Sequence, residues 1–399
     1  MPRAVPPAEP FAETERRIAA AVERSREEIL ALSHAIHADP EPAFEEVRAG
    51  ARVAEAIRRH GYEVEHPVGR LATAVRGRMH GALGGARPRI AILAEYDALP
   101  GLGHGCGHNT MAASGVGAAL ALAALADRLP GEIVFLGTPA EERGNGKQIM
   151  IDDGLFEGVD AALLFHPGDR TNVEARLLAS QDVEIVFHGL QAHAAADPWE
   201  GKNALDALIL LFNAVALWRQ QLRPDARVHG IVREGGTAAN VIPARTAAWF
   251  MIRSISDGGL AAMQERFRAI VGSAAMAADC SVEVDFSLPS STMRHNRVLG
   301  ERFSARLAVH GLTIDPPDPN LGSSDMGNVS QVCPTIHPGV AICAVGTPGH
   351  SLAFRDAAAG PRADEVTLLM ARMFAELAAE LLLDPALVEA AWRDFHASA

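Results

Sequence analysis

Continuous apolar runs alternate with amphipathic stretches along most of the chain. Between Ala12 and Ile36 the apolar residues recur every three, four or seven positions, which predicts an amphipathic helix. Similar helical stretches cover 49–60 and 110–129. Continuous runs rich in Ile, Val, Leu and Phe predict strands buried on both faces, and they lie at Leu71–Val75, Arg89–Ala94, Glu132–Gly137, Ala161–Phe165 and Val340–Val345. We therefore predict an α/β fold with a mostly parallel central sheet flanked by helices.

The pattern changes around Leu178, where apolar and charged residues begin to alternate. Such alternation predicts strands with one exposed face, at Asp182–His188, Arg227–Arg233, Ala247–Arg253 and Ser281–Ser287. Helical stretches at 203–221 and 260–278 lie between them. These elements predict a small α+β domain with a four-stranded antiparallel sheet. We expect residues 178–289 to form this domain, inserted into a larger one made of 1–177 and 290–399.

Composition and charge favour small-molecule chemistry. The chain has 399 residues and a net charge of -13, which gives no basic surface for nucleic acid or an anionic membrane. Its four cysteines are widely spaced and form no Cys-x-x-Cys pair, as expected in a reducing compartment. Met1–Pro10 lacks an apolar signal core, and no apolar stretch is long enough to span a bilayer. We expect a cytoplasmic protein with a small-molecule substrate.

Metal-ligating residue types follow several predicted strands. Cys106 and His108 lie in a glycine-rich loop after the run that ends at Ala94, and thiolate and imidazole are good ligands for a borderline-soft divalent ion. Residues of the same kind follow the later runs, namely Glu141, Glu142, His166 and His350. The carboxyl ends of parallel strands share one edge of a sheet. The sequence therefore predicts a metal or catalytic site at that edge.

Two other classes of function compete with a metalloenzyme. The glycine-rich loop before the helix at 110–129 is reminiscent of a dinucleotide-binding turn, but the Gly-x-Gly-x-x-Gly pattern fails, because the sixth residue counted from Gly101 is Cys106 and from Gly103 is His108. A non-hydrolytic, metal-stabilised binding protein stays open, because ligands alone do not show turnover. Glu141 beside Glu142 argues against it, since a structural site needs no additional base.

Seven short segments, taken in their order along the chain, resemble the motifs of a known family. They read HADPEPAFEE (37–46), EYDALP (95–100), HGCGHN (104–109), GTPAEE (137–142), QAHA (191–194), GTAANVIP (236–243) and GSSDMG (322–327). Together they resemble the M20 metallopeptidases, and within them the branch of amidohydrolases and carboxypeptidases. The resemblance covers nearly the whole chain. It implies an enzyme that cleaves the amide bond of an N-acyl amino acid or a dipeptide.

The same resemblance implies a centre of two divalent metal ions, zinc or manganese. Cys106 is similar to the ligand that bridges the two ions. His108 and His166 are similar to the ligands of one ion, and Glu142 and His350 to those of the other.

Further roles follow from the resemblance. Glu141 is similar to the general base, which takes a proton from the activated water and passes it to the leaving amine. Asp97 is similar to an aspartate that orients a metal-ligating imidazole. His193 and Asn240 resemble the pair that binds the scissile carbonyl oxygen and the substrate carboxylate. The inserted domain corresponds to a lid through which members of the family usually form homodimers.

One position departs from the broader family. Many members have a histidine ligand two residues before Asp97, where this chain has Glu95. Members of the branch with Cys-x-His in the next loop generally lack that histidine, so His108 would replace it. Whether Glu95 is an outer carboxylate or an additional ligand stays open at this level.

Overall fold

The computed structural model describes residues 11–174, 176–316 and 321–398. The segment 1–10, in which the sequence shows no apolar signal core, lies outside the described residues. The α-helices described are α1 (Phe11–Arg24), α2 (Arg26–Ala38), α3 (Val47–Arg59), α4 (His108–Ala123), α5 (Gly146–Asp152), α6 (Ala204–Trp218), α7 (Asp257–Ala277), α8 (Arg297–Val309), α9 (Met326–Val329), α10 (Leu352–Ala357), α11 (Pro361–Leu383) and α12 (Pro385–Ala397). The strands described are β1 (Glu63–Glu65), β2 (Val75–His80), β3 (Arg89–Glu95), β4 (Glu132–Thr138), β5 (Ala161–Leu163), β6 (His166–Gly168), β7 (Ala179–His188), β8 (Ala192–His193), β9 (Arg227–Glu234), β10 (Val241–Ile242), β11 (Arg245–Ser254), β12 (Ser281–Phe286), β13 (Thr335–Ile336) and β14 (Gly339–Ala341).

The chain divides into two compact units. The first takes the described residues within 1–176, 293–320 and 328–399, and the second takes 177–292 and 321–327. The expected inserted domain, 178–289, lies within the second unit. Residues 321–327 also belong there, although the sequence pattern assigned them to the larger domain. Within this unit the backbone N–H of Leu178 donates to the carbonyl oxygen of Gly322 at 2.8 Å, a long-range contact that local patterning does not reveal.

The first unit contains a six-stranded sheet in the order β1-β2-β4-β3-β5-β13. Strands β4, β3, β5 and β13 run parallel, and β2 is antiparallel to β4. Helix α4 packs on this sheet and is buried along nearly its whole length. A Cβ on Gly115 would lie 2.6 Å from the carbonyl oxygen of Leu93, so the glycine permits this close approach. The packing places the start of α4 beside the carboxyl end of β3.

The second unit contains a four-stranded antiparallel sheet in the order β12-β7-β11-β9. Its central strands β7 and β11 pair over their full length, from His188 opposite Arg245 to Ala179 opposite Ser254. Helices α6 and α7 supply much of the core that covers one face of the sheet. The predicted α/β class, with a parallel-containing sheet and a separate antiparallel one, is confirmed. None of the helices described here is long and apolar enough to cross a membrane.

Three element predictions were wrong in detail. The helix predicted from Ala12 to Ile36 is two helices, α1 and α2, separated at Ser25, because the apolar period continues through the break. The run at Leu71–Val75 is mostly turn and only leads into β2. The run at Val340–Val345 contributes to β14, which pairs with β6 in a separate two-stranded sheet. The edge strand of the central sheet next to β5 is instead β13, which has only two residues and therefore shows no periodicity in the sequence.

Candidate metal centre

Residues from several segments of the first unit form two groups of ligand-type side chains that share a thiol, beside a third group of Glu95, His108 and Glu141. One group consists of Cys106, His108 and His166, and the other of Cys106, Glu142 and His350. In each group the ligand atoms lie within 4.8 Å of one another. Cys106 is common to both groups. The geometry therefore brings together all five residues that the sequence suggested as ligands, with the thiol between the two halves.

His108 is held by Asp97 so that one ring nitrogen faces the centre. Its Nδ1 lies 2.9 Å from the carbonyl oxygen and 3.0 Å from Oδ1 of Asp97, so Nδ1 carries the donated proton and Nε2 is the nitrogen left for a ligand. The other carboxylate oxygen of Asp97 accepts the backbone N–H of Glu142 at 2.8 Å. Asp97 thus fixes one residue of each group, which supports its suggested orienting role.

His166 presents the equivalent nitrogen to Cys106. Its Nδ1 lies 2.7 Å from the carbonyl oxygen of Pro167, and its Nε2 lies 3.4 Å from Sγ of Cys106. Burial, together with nearby His108, lowers the pKa of His166 to about 4. The ring is therefore neutral at pH 7, which is the form that binds a metal ion.

His350 reaches the second group by a strained backbone. The residue has a φ of 53°, a left-handed conformation that a non-glycine residue adopts only when its surroundings hold it. Its N–H donates to the carbonyl oxygen of Gly105 at 3.0 Å, which attaches this loop to the one that carries Cys106. Its Nε2 lies 3.6 Å from Oε2 of Glu142. The conformation thus aims His350 at the glutamate of its group.

Glu141 and Glu142 follow another left-handed residue, Ala140, with a φ of 60°. The buried carboxylate of Glu46 holds this turn, since its Oε1 accepts the N–H of Ala140 at 2.9 Å and its Oε2 accepts the hydroxyl of Thr73 at 2.9 Å. A ligand-type atom of Glu141 lies within 4.8 Å of those of His108 and Glu95. The turn therefore places Glu141 beside Glu95 and His108, and Glu142 beside Cys106 and His350.

The turn that Glu46 holds predicts a pH-dependent effect. Burial, together with the Asp97 carboxylate, raises the pKa of Glu46 from 4.5 to about 7. Because the folded-state pKa is raised, the wild-type protein should lose stability relative to Glu46→Gln as the pH rises from about 4.5 to about 7, by up to about 3 kcal/mol. Urea unfolding of both proteins after chelation, at intervals from pH 5 to 8, measures this difference. Parallel pH profiles for the two proteins would contradict the prediction.

The donor set fits divalent cations. His108 Nε2 and Glu142 Oε1 are buried and make no hydrogen bond, so a proton or a metal ion must satisfy these two atoms. Burial and the Glu142 carboxylate raise the pKa of the Cys106 thiol well above its ordinary value, so the thiolate forms here only with a cation beside it. Two divalent ions held by these residues would satisfy the unpaired atoms and ionise the thiol.

Three further buried residues lie near the centre: Glu95, Lys147 and His337. The sequence left the role of Glu95 open and suggested none for Lys147 or His337. Glu95 and Lys147 form a fully buried ion pair, with Oε1 and Nζ separated by 2.5 Å. Burial raises the pKa of Glu95, but Lys147 and His108 more than offset this and lower it to about 2. The His337 ring lies 5.8 Å from that of His166. A lysine after glycine and a histidine before proline give no local sign of burial, so sequence reasoning missed both.

His193 and Asn240 come together in the second unit. Strand β8 pairs with β10, with His193 opposite Val241, and the carbonyl oxygen of Asn240 accepts the N–H of Ala194 at 3.1 Å. The exposed His193 ring accepts the N–H groups of Ala195 and Ala196 at Nδ1, both at 3.1 Å. A neutral ring that accepts at Nδ1 carries its proton on Nε2. His193 is therefore prepared to donate a hydrogen bond from Nε2.

Comparison with known proteins gives concordant results. The sequence profile of peptidase family M20/M25/M40 matches residues 91–373. A mouse protein named Xaa-Arg dipeptidase is 35% identical over 95% of this chain and 91% of its own length. A p-aminobenzoyl-glutamate hydrolase of Escherichia coli is 30% identical over 79% of this chain and 68% of its own. A Bacillus subtilis dinuclear metal-binding peptidase of the M20 family has a similar fold, with a TM-score of 0.66 at 22% identity over 90% of this chain and 99% of that one.

Proposed function

The chain belongs to peptidase family M20/M25/M40, and on that premise we propose that it hydrolyses the amide bond between an acyl or aminoacyl group and the amino group of an amino acid. Family membership establishes that the chain is a metal-dependent hydrolase of amide bonds. The proposed reaction is supported by the two ligand groups that share Cys106, with Glu141 beside them. We assign one ion to His108 and His166, the other to Glu142 and His350, and Cys106 to both.

Each candidate residue then has a proposed task. When bound, divalent ions lower the pKa of a water molecule and polarise a carbonyl oxygen. Glu141 accepts the proton of the attacking water and donates it to the leaving amine, so that the amine departs neutral. Asp97 keeps the Nε2 nitrogen of His108 directed at the centre. His193 donates from Nε2 to the carbonyl oxygen as it gains negative charge, and Asn240 binds the substrate carboxylate.

For the substrate we propose dipeptides and N-acyl amino acids, with Xaa-Arg dipeptides as the first to test. The dipeptidase named for that substrate matches nearly the whole chain, whereas the p-aminobenzoyl-glutamate hydrolase matches a smaller part at lower identity. The two names differ in the charge of the released amino acid, which is cationic for arginine and anionic for glutamate. A panel that varies this charge therefore separates the two classes directly.

The metal identity, assembly and compartment are part of the proposal. Thiolate and imidazole ligands favour zinc, whereas the carboxylates also suit manganese. We propose a homodimer formed through the second unit, because the edge strand β9 exposes Ile231 and Val232 at 55% and 51%, and edge strands with exposed apolar side chains tend to pair. Sedimentation velocity measures the mass that tests it. We place the reaction in the cytoplasm, where the four free cysteines stay reduced.

The alternative, a non-hydrolytic binding protein stabilised by metal, is less well supported. Family membership favours hydrolysis, and a structural metal site would need neither Glu141 beside Glu142 nor an exposed ligand such as His350, whose side chain is 57% exposed. Structural sites are typically closed, whereas catalytic sites keep an open position.

A substrate panel with controlled metal content tests the proposal. The panel contains Ala-Arg, Ala-Lys, Ala-Glu, p-aminobenzoyl-glutamate and an indole-3-acetyl amino acid, and the released amino acid is quantified. We expect cleavage of at least one member, loss of that activity after chelation, and recovery with Mn²⁺, Co²⁺ or Zn²⁺. Undiminished activity in a metal-free preparation would contradict the metal centre. Failure of the fully metal-loaded protein to cleave any member would contradict the substrate class.

A further inference from the structure

The Glu95–Lys147 ion pair has no task in the proposed mechanism. Glu95 is the last residue of β3, Lys147 is the second residue of α5, and both side chains are fully buried. Removing two charges from water costs several kcal/mol per ion before their attraction is counted. A buried ion pair is therefore weak evidence for stabilisation and calls for another explanation. Its position next to His108 suggests one.

The second oxygen of Glu95 faces the metal-binding nitrogen of His108. Glu95 Oε2 lies 3.3 Å from His108 Nε2, and neither atom makes a hydrogen bond. Two electron-rich atoms held this close in a buried place require a proton or a metal ion between them. Neighbouring atoms that bind one ion at about 2.0–2.2 Å are separated by about 2.8–3.6 Å in octahedral or tetrahedral geometry. The observed separation lies in that range.

We propose that Glu95 is an additional ligand of the ion bound by His108, and that Lys147 is the positioning residue that holds it in place. This inference rests on the proposed function, since it presumes the metal centre. Lys147 is paired with Oε1, so Glu95 offers the ion a single oxygen, Oε2. The oxygen ligand makes the thiolate and imidazole set harder and more favourable to Mn²⁺.

The pair also connects the two segments that carry the catalytic residues. Glu95 precedes Asp97 by two residues, and Lys147 follows the loop that contains Glu141 and Glu142. Ligand-type atoms of Glu95, His108 and Glu141 lie within 4.8 Å of one another. The carboxylate of Glu95 is therefore on the side of the centre that the general base occupies, and Lys147 balances the charge that a second carboxylate adds there.

Metal binding by Glu95→Gln tests the inference without relying on activity. Chelated wild-type and variant proteins are titrated with Co²⁺, Mn²⁺ and Zn²⁺ against a competing chelator, and bound metal is counted by mass spectrometry. The wild-type chain should bind two ions. Removing a residue that only orients a ligand costs about 10- to 100-fold in metal affinity. We expect Glu95→Gln to weaken one ion by at least the upper end of that range, more for Mn²⁺ than for Zn²⁺, and to change the visible absorption bands of bound Co²⁺.

Three further variants complete the experiment. Lys147→Met should keep both ions, because Glu95 remains, but its metal-free form should be less stable than that of the wild type and should gain more thermal stability on adding metal. Glu380→Gln is the matched control, because Glu380 pairs with Arg306 in the same unit at 2.6 Å and touches no proposed ligand. If Glu95→Gln does not fold, Glu95→Asp keeps the charge opposite Lys147 but draws the oxygen away from His108, and should show the same selective loss of one ion.

The outcomes separate this inference from the proposed function. Wild-type affinity and an unchanged Co²⁺ spectrum in Glu95→Gln would overturn the inference while leaving the metal centre intact. A Glu95→Gln variant that only destabilises the metal-free protein would also overturn it, since Glu95 would then be a counter-ion to protonated His108. A wild-type chain that binds no metal would instead contradict the proposed function itself.

Discussion

Replacing Glu141 with glutamine should lower kcat by about 10²- to 10⁴-fold, the usual contribution of a general acid or base, while leaving both metal ions bound. Glutamine has nearly the same shape as glutamate but cannot accept the proton of the attacking water. The left-handed turn at Ala140 that directs the side chain should persist, because Glu46 holds its backbone N–H. A 10³-fold loss corresponds to about 4 kcal/mol of lost transition-state stabilisation.

A variant of the adjacent glutamate, Glu142, shows whether Glu141 acts as a base or as a metal ligand. Glu142→Gln should reduce the metal content, because Glu142 belongs with Cys106 and His350 in one ligand group. Glu141→Gln should not. Steady-state kinetics and metal analysis of the two variants, with the exposed Glu45→Gln as a surface control, distinguish a base from a ligand. Full activity in Glu141→Gln would refute its role, and loss of metal would show that it is a ligand.

The candidate residues of the centre could be selected from the sequence because they are ligand-type residues at recognisable places. Cys106 and His108 lie between glycines before a helix, and Glu141 and His166 follow buried strands. Such positions can be read from the order of residues within one segment. The rule that parallel strands present their carboxyl ends at one edge of a sheet then predicts that these residues lie close together. The structure brings these residues together, and comparison with known proteins confirms the family.

What the sequence could not predict depends on contacts between distant segments. Lys147 is buried because Glu95, 52 positions earlier in the sequence, supplies its counter-charge, and a lysine at a helix start is ordinarily solvated. His350 was expected after a strand of the central sheet. It instead follows β14 of the two-stranded sheet, and the hydrogen bond from its backbone N–H to the carbonyl oxygen of Gly105 holds it at the centre. The pattern of residues around Lys147 does not reveal its contact with Glu95, and the pattern around His350 does not reveal its contact with Gly105.

Cys106→Ala should remove both metal ions at once, whereas substitution of any other proposed ligand should loosen mainly one. The thiol is the member common to the two ligand groups, and an alanine there offers no donor to either. Metal analysis after exhaustive dialysis should give two ions per wild-type chain and nearly none in the variant. Loss of a supporting residue lowers the affinity for one ion by about 10- to 100-fold. If the affinity for each of the two ions falls by this factor, the affinity for the pair of ions falls by about 10²- to 10⁴-fold.

Single-ligand variants and a second cysteine make this test decisive. His166→Ala and His350→Ala should each keep one ion, because each histidine belongs to a single group. Cys280→Ala changes a half-buried free thiol in the second unit and should keep both ions, which controls for loss of a thiol as such. A Cys106→Ala variant that retained one tightly bound ion would show that the thiol serves a single ion. The bridge would then have to come from a carboxylate, and Glu95 and Glu141, which lie together beside His108, would be the residues to test next.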